Sequence, residues 1–311
     1  MRVMIASEHR YPAAVGGRSG ARLYDNLAKG LAELGHHVYY YLEDGAAIAL
    51  PPGVDLVSGP IWDADVWQLS REDPLSNEAD VRGQPWLRTC HVDMDLMVKD
   101  RAQARDNWIF VSRTLAEAYG RQRYVLNGID PAEFLFSQEK EDYILFAMGS
   151  AEWGRAKGLD IALDLAAELD LRLLVAGSGS CNRYLSTVRA HCERHGAHWV
   201  GEHYGTQRAK LYAGASALLF PTQINESFGL VIAECLMSGT PVVTSDRGAC
   251  PELVTPEVGF VCSKRDEYLT ALQNVHTIDP RACRDRAMAA FHYKTMAEGY
   301  VREYERELAA D

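Results

Sequence analysis

The feature that most constrains this chain is the alternation of short apolar runs with longer stretches of helical period, repeated almost from end to end. Arg2–Ser7 reads as a first strand, and a loop rich in Gly and Pro follows it from Glu8 to Ser19. Gly20–Gly35 turns helical, with Leu23, Leu27, Leu31 and Leu34 on one stripe and Gly35 as the C-cap. His37–Leu42 is the next strand, and strand fragments lie between Asp44 and Pro60. Arg71–Gly83 is polar and reads as a loop, before buried strands at Trp86–Cys90 and Trp108–Val111. Repeated βα units of this kind imply parallel sheets with helices on both faces.

A second series starts beyond the turn-rich Asn127-Gly128-Ile129-Asp130-Pro131. It carries strands at Tyr143–Met148, Leu171–Ala176, His198–Val200, Ala217–Pro221 and Pro241–Ser245. Helices are expected at Leu159–Leu169, Tyr184–His195, Thr206–Gly214 and Leu230–Ser238, and helical spacing marks Ala282–Leu308. The expectation is therefore α/β, with two Rossmann-like domains at residues 1–135 and 136–293. At 311 residues the chain exceeds the usual domain of about 100–200, which agrees with two. With 32 basic against 43 acidic side chains the net charge is −11, a poor balance for general binding of nucleic acid or anionic lipid. No apolar run reaches a membrane span, and seven cysteines without a C-x-x-C pair suit a reducing compartment, so a cytoplasmic protein is expected.

The strongest chemical signal is Asn225-Glu226-Ser227-Phe228-Gly229-Leu230-Val231-Ile232-Ala233-Glu234. Eight residues along a helix span about 12 Å, roughly the distance from a donor sugar to its nucleotide ribose. Carboxylates accept pairs of hydroxyl hydrogen bonds, which suits vicinal diols. Phe228, Gly229 and Leu230 open a helix whose first N–H groups favour a diphosphate. On spacing alone, two solvated glutamates of an amphipathic helix would be the commoner explanation.

The context decides for chemistry. Pro221-Thr222, Glu226, Phe228-Gly229-Leu230, Glu234, Gly239-Thr240-Pro241-Val242 and Pro251-Glu252 occur in that order. This string resembles the C-terminal signature of the retaining GT-B glycosyltransferases of family 4 (GT4). Further matches extend the resemblance over nearly the whole chain. Gly16-Gly17 sits in the loop after the first strand, where glycines let backbone N–H groups approach a phosphate or acceptor, and no G-x-G-x-x-G dinucleotide fingerprint is present. Thr89-Cys90-His91-Val92-Asp93 resembles the family stretch whose His faces the donor sugar. Lys157-Gly158 matches the family Lys-Gly, with Ser150 at the usual Arg position and Arg155 two residues before the Lys. Tyr124–Asp130 resembles the junction that ends the first domain.

The resemblance implies a GT-B fold, two Rossmann-like domains across a cleft, with the helix at about 294–311 packing back on the first. It implies a retaining transfer from a nucleoside-diphosphate sugar. Lys157 and Arg155 would stabilise the departing diphosphate, Glu226 would anchor donor-sugar hydroxyls, Glu234 the ribose diol, and His91 the sugar or acceptor. No cofactor and no metal are implied. Asp93-x-Asp95 is read as acceptor-side or surface, because metal-dependent D-x-D belongs to another transferase fold. The Cys181–His198 stretch lacks zinc-site spacing. Residues 1–135 hold 14 basic and 19 acidic side chains, so the expected acceptor is a soluble small molecule or saccharide. Two rivals are a GT-B enzyme that handles a nucleotide sugar without transferring it, such as an epimerase, and an idle nucleotide-sugar binding protein.

Overall fold

A computed structural model describes residues 1–6, 19–41, 50–72, 74–91, 104–179 and 182–310. The chain divides into two compact units, Met1–Asp130 with Ala290–Asp311, and Pro131–Ala289.

Unit 1 contains β1 (Arg2–Ala6), α1 (Ser19–Glu33), β2 (His37–Tyr41), β3 (Val54–Val57) and β4 (Val66–Leu69). α2 (Pro74–Arg82), β5 (Trp86–Cys90), β6 (Trp108–Phe110) and α3 (Arg113–Ala118) follow. The sheet order is β3-β2-β1-β4-β5-β6 and every pairing is parallel. Val3, Met4 and Ile5 are fully buried, as expected where helices cover both faces of a parallel sheet. Leu23, Leu27 and Leu31 of α1 are buried, whereas Leu34 lies past the helix end and is exposed. Gly35 stops α1 at φ +84°, a conformation that costs glycine no Cβ clash.

Unit 2 contains β7 (Ile144–Ala147), α4 (Leu159–Glu168), β8 (Leu173–Ala176), α5 (Asn182–Arg194), β9 (His198–Gly201) and α6 (Gly205–Gly214). β10 (Ala217–Phe220), α7 (Leu230–Met237), β11 (Val242–Ser245), α8 (Cys250–Leu253), β12 (Gly259–Cys262), α9 (Arg265–Asn274) and α10 (Pro280–Ala290) complete it. Its parallel sheet runs β12-β11-β10-β7-β8-β9. Every residue of β7, β8, β10 and β11 is buried. Both sheets thus have doubly wound order, and in unit 2 the order reverses between β7 and β10. At such a switch point the loops leaving two neighbouring strands turn to opposite faces and leave a crevice at the strands' carboxyl ends.

Three expectations need correction. Residues 74–82 form a helix rather than a loop. The helix shows no apolar stripe because only Ser76 and Ala79 are buried, and it is held instead by Glu78–Arg82 at 2.7 Å and by Asp80, which accepts from Trp86 Nε1 at 2.8 Å. The single helical stretch at Ala282–Leu308 is two helices, α10 and α11 (Tyr293–Leu308), broken at residues 291–292. There the backbone pairs with Ile129, and His292 caps α11 by accepting from Lys294 N–H at 3.0 Å. Finally, the units part at Asp130–Pro131 rather than after 135, since Glu133 is bound to Arg208 of unit 2.

α11 belongs to unit 1. Gly30 on α1 brings the two helices close, for a Cβ there would lie 2.7 Å from Ala297 Cβ. Arg123 binds Glu303 and Glu307, each at 2.7 Å. A buried hydrogen-bond chain runs from Tyr304 through Gln68 and Thr89 to Tyr300.

Candidate functional site

The switch point of unit 2 collects the residues singled out by sequence. The loop after β7 carries Gly149 to Gly158, and the loop after β10 carries Pro221 to Gly229. Because β7 and β10 are neighbours, these loops touch: Gln223 N–H donates to the Ala156 carbonyl at 2.8 Å. A Cβ on Gly158, at φ +87°, would fall 2.0 Å from the Pro221 carbonyl oxygen. Only glycine permits that approach.

Lys157 Nζ forms an ion pair with Glu226 Oε1, and Thr222 Oγ1 donates to the same oxygen at 3.0 Å. The Glu226 side chain is 7% exposed and that of Lys157 21%. A carboxylate buried to this degree needs both partners, because desolvation without them costs several kcal/mol, on the order of 3–5. The Lys157 ammonium also stands 5.7 Å from the Phe220 ring centre. From the other side Gly248 (φ +57°) closes on the Glu226 backbone, where a Cβ would meet the Glu226 N and O at 2.3 Å. Ala249 N–H donates to the Glu226 carbonyl at 2.9 Å. Behind this pair lies Cys250, whose thiol is pushed up to about 12, first by burial. It stays protonated and is no nucleophile.

α7 starts at Leu230 with Gly229 as its N-cap at φ +88°. Glycine brings no capping side chain, so the N–H groups of Leu230 and Val231 have no side-chain cap, while Ile232 N–H donates to the Gly229 carbonyl at 2.9 Å. Phe228 is buried and anchors the turn. The spacing from Glu226 to Glu234 is only partly helical, because α7 covers just the second half of it. Glu234 is 5% exposed. Its carboxylate lies 3.7 Å from the Arg208 guanidinium.

Not every expected residue joins this cluster. Arg155 is 93% exposed and reaches only Asp160, at 3.6 Å. Its neighbour Ser150 starts a 3-10 turn and offers no cation. His91 follows β5 in unit 1, its ring edge-on to Tyr24 with centres 5.5 Å apart. Gly16 and Gly17 lie outside the described residues, as do Asp93, Asp95 and Cys181. In the Cys/His-rich stretch, Cys192 is fully buried, His191 binds Asp160 at 2.8 Å and His195 sits 3.6 Å from Asp164. Among the described residues no group of three His, Cys, Asp or Glu side chains is placed to hold a metal. Likewise no helix among them is long and apolar enough to cross a membrane.

Thr222 enters the sequence signature only as part of a turn, and Gly248 and Arg208 do not enter it at all. Thr222 stood in a recognised turn, and its hydroxyl gave no hint of its partner. Gly248 and Arg208 act across the tertiary fold, so no local pattern marks them.

Residues 142–277 match the family model described as glycosyl transferases group 1. The match lies within unit 2 and spans most of it. The switch-point loops and both glutamates fall inside the matched range. The chain is 29% identical over 198 residues to a glycogen synthase of Mycobacterium tuberculosis, a match covering 58% of this chain and 47% of that protein. The chain spans less than half the length of the curated relatives it matches first. Among solved structures, AviGT4, a glycosyltransferase involved in avilamycin A biosynthesis, superposes with a TM-score of 0.80 at 24% identity, covering 100% of this chain and 99% of that one. Anabaena Alr3699/HepE in complex with UDP-glucose gives 0.70 at 13% identity and covers 100% of both chains. The fold is that of the GT-B glycosyltransferases, with two Rossmann-like α/β domains.

Proposed function

We propose that the protein is a retaining, metal-independent glycosyltransferase that moves a sugar from a nucleoside-diphosphate sugar to a hydroxyl of a soluble small molecule or saccharide. The observation that carries this reading is the Lys157–Glu226–Thr222 cluster at the switch point of a group 1 domain. The occurrence of UDP-glucose in the similarly folded HepE supports a nucleotide sugar as the donor.

Departure of a nucleoside diphosphate builds negative charge on the leaving oxygens. Lys157, once turned from Glu226 to the phosphate, and the N–H groups opening α7 meet that charge as it develops, which lowers the barrier more than it tightens substrate binding. Glu226 anchors donor-sugar hydroxyls and, once Lys157 turns to the phosphate, takes those hydroxyls in exchange for the ammonium. Glu234 accepts from the ribose diol. Arg155 joins Lys157 only by leaving Asp160. In the first unit, His91 orients sugar or acceptor and Gly16-Gly17 contribute backbone N–H groups. The anomeric bond breaks with oxocarbenium character, the acceptor attacks from the leaving-group face, and the departing phosphate oxygen takes its proton. Unit 1 binds the acceptor and unit 2 the donor. Cys192, Cys235, Cys250, Cys262 and Cys283 are buried free thiols, which supports a reducing, cytoplasmic setting.

The test is thermal stability against a panel of uridine, guanosine, adenosine and thymidine diphosphate sugars. A ligand at about 100 times its Kd stabilises by about 2.7 kcal/mol. A shift selective for one nucleotide supports the donor site, and the absence of any shift refutes it. The outward Arg155 and Ser150 favour one rival, a nucleotide-sugar binder without transfer. Binding with no diphosphate release in the presence of any acceptor would establish that rival.

A further inference from the structure

One guanidinium ties the first turn of unit 2 to Glu234. Arg208 projects from α6 with its side chain 14% exposed. It donates through one terminal nitrogen to Glu133 Oε2 at 2.9 Å and sets the other 3.7 Å from Glu234 Oε1. The Phe134 ring centre lies 5.2 Å from the guanidinium carbon, and Arg208 Nε has no hydrogen-bond partner. The cation is therefore held by two carboxylates and the face of one ring.

The two distances differ in kind. The contact at 2.9 Å is a charge-assisted hydrogen bond, whereas 3.7 Å lies beyond hydrogen-bond range and leaves mainly an electrostatic attraction. Glu133 thus takes the hydrogen bond and Glu234 receives the field. The Glu234 side chain is 7% exposed, so water screens little of that attraction.

We propose that Arg208 is a positioning residue for recognition of the nucleotide ribose. It holds the Glu234 carboxylate in place, while Glu133 restrains the guanidinium from closing on that carboxylate itself. The proposal rests on Glu234 being the ribose-binding carboxylate. Three variants separate its parts. Arg208→Met removes the charge. Arg208→Lys retains it but lacks the fork that reaches two carboxylates at once. Glu133→Gln removes the restraint, so the guanidinium moves onto Glu234 and competes with the ribose. Each variant weakens recognition of the ribose hydroxyls and leaves the diphosphate contacts alone.

The readout is the ratio of Kd values for 2′-deoxyuridine diphosphate and uridine diphosphate by calorimetry, using the matched pair of another base where the donor panel selects one. Wild type, Glu234→Gln and the three variants are compared, with the thermal midpoint of each free protein measured in parallel. One hydroxyl donating to a carboxylate is expected to give wild type about a 10-fold or greater preference for the ribonucleotide. Glu234→Gln and Arg208→Met should reduce it to within about threefold of unity, with Arg208→Lys and Glu133→Gln in between. A folded Arg208→Met that keeps the full preference overturns the proposal. Should Arg208→Met not fold, full preference in both Arg208→Lys and Glu133→Gln overturns it equally. A wild-type preference untouched by Glu234→Gln refutes the assignment of Glu234, and the proposal falls with it. Failure of wild type to bind either nucleotide refutes the donor site as a whole.

Discussion

Substituting Gly158 by alanine tests how the two switch-point loops are held together. Gly158 adopts φ +87°, which costs an L-residue about 1–2 kcal/mol. The new methyl would also stand 2.0 Å from the Pro221 carbonyl oxygen, a backbone atom that moves only if its loop moves. Relieving such an overlap costs about 1–3 kcal/mol more. The sum, about 2–5 kcal/mol, corresponds to a fall in Tm of about 5–15 °C for a unit of this size. Function should suffer beyond stability, because parting the loops pulls Lys157 from Glu226 and Thr222. Affinity for a nucleoside diphosphate is expected to fall about 10-fold or more at a temperature where the variant is still folded, since one charge-assisted contact is lost. Gly149→Ala in the same loop is the control, for a Cβ there meets nothing within 4 Å. It should stay within about 0.5 kcal/mol of wild type. Differential scanning fluorimetry, urea unfolding and a nucleotide titration measure all of this. A Gly158→Ala protein with wild-type midpoint and affinity, or a Gly149→Ala protein equally impaired, would refute the reasoning.

Lys157→Met strands the Glu226 carboxylate with Thr222 alone and should destabilise by about 2–4 kcal/mol, while Lys157→Met with Glu226→Met recovers most of that loss; urea unfolding of both decides, and equal loss in the double variant contradicts it. Both proteins should be inactive in transfer. Lys140 provides a pH test: burial pulls its ammonium down to about 8, and it donates to the Ala213 carbonyl at 2.9 Å and to Thr240 Oγ1 at 3.0 Å. Below pH 8 the lysine is charged in the folded and unfolded states alike, so the native protein bears the full cost of the buried charge. Between pH 8 and about 10.5 the native state gives up its proton first, and this residue's contribution to stability rises with pH. The stability of wild type relative to Lys140→Met should therefore rise by about 1–2 kcal/mol across that window, less than the full shift because solvent screens a half-buried side chain. A flat difference from pH 7.5 to 10.5 would rule this out.

Much of the fold is legible in the sequence, and the reason is local. β7, β8 and β10 are buried on both faces, so each appears as an unbroken apolar run. α1 shows its stripe because Leu27 and Leu31 pack into the core of the sheet, while Gly30 meets α11. Where burial is unlike that, the pattern fails. α2 buries only a serine and an alanine, so it has no stripe to read. β12 is an edge strand with Val261 exposed, and its Gly259 comes so near β11 that a Cβ would lie 1.9 Å from the Val242 carbonyl oxygen. The break between α10 and α11 depends on Ile129, far away in sequence, pairing with the chain at Phe291 and Tyr293.

For the candidate site the division is the same. Lys157, Glu226, Gly229 and Glu234 stand in short strings whose order along the chain carries the family resemblance, although spacing alone would favour two solvated glutamates. That Lys157 and Glu226 form one buried pair follows from β10 lying beside β7, a choice made by the packing of the whole sheet. Arg208 meets Glu133 across 75 residues, and Gly248 closes on Glu226 from the end of another strand. Hydrogen bonds and close approaches of this kind carry no periodicity, because their partners are brought together by strand order rather than by neighbouring positions in the chain. Local propensity and apolar pattern determined which elements form; only the tertiary structure decided which charged groups they would bury together.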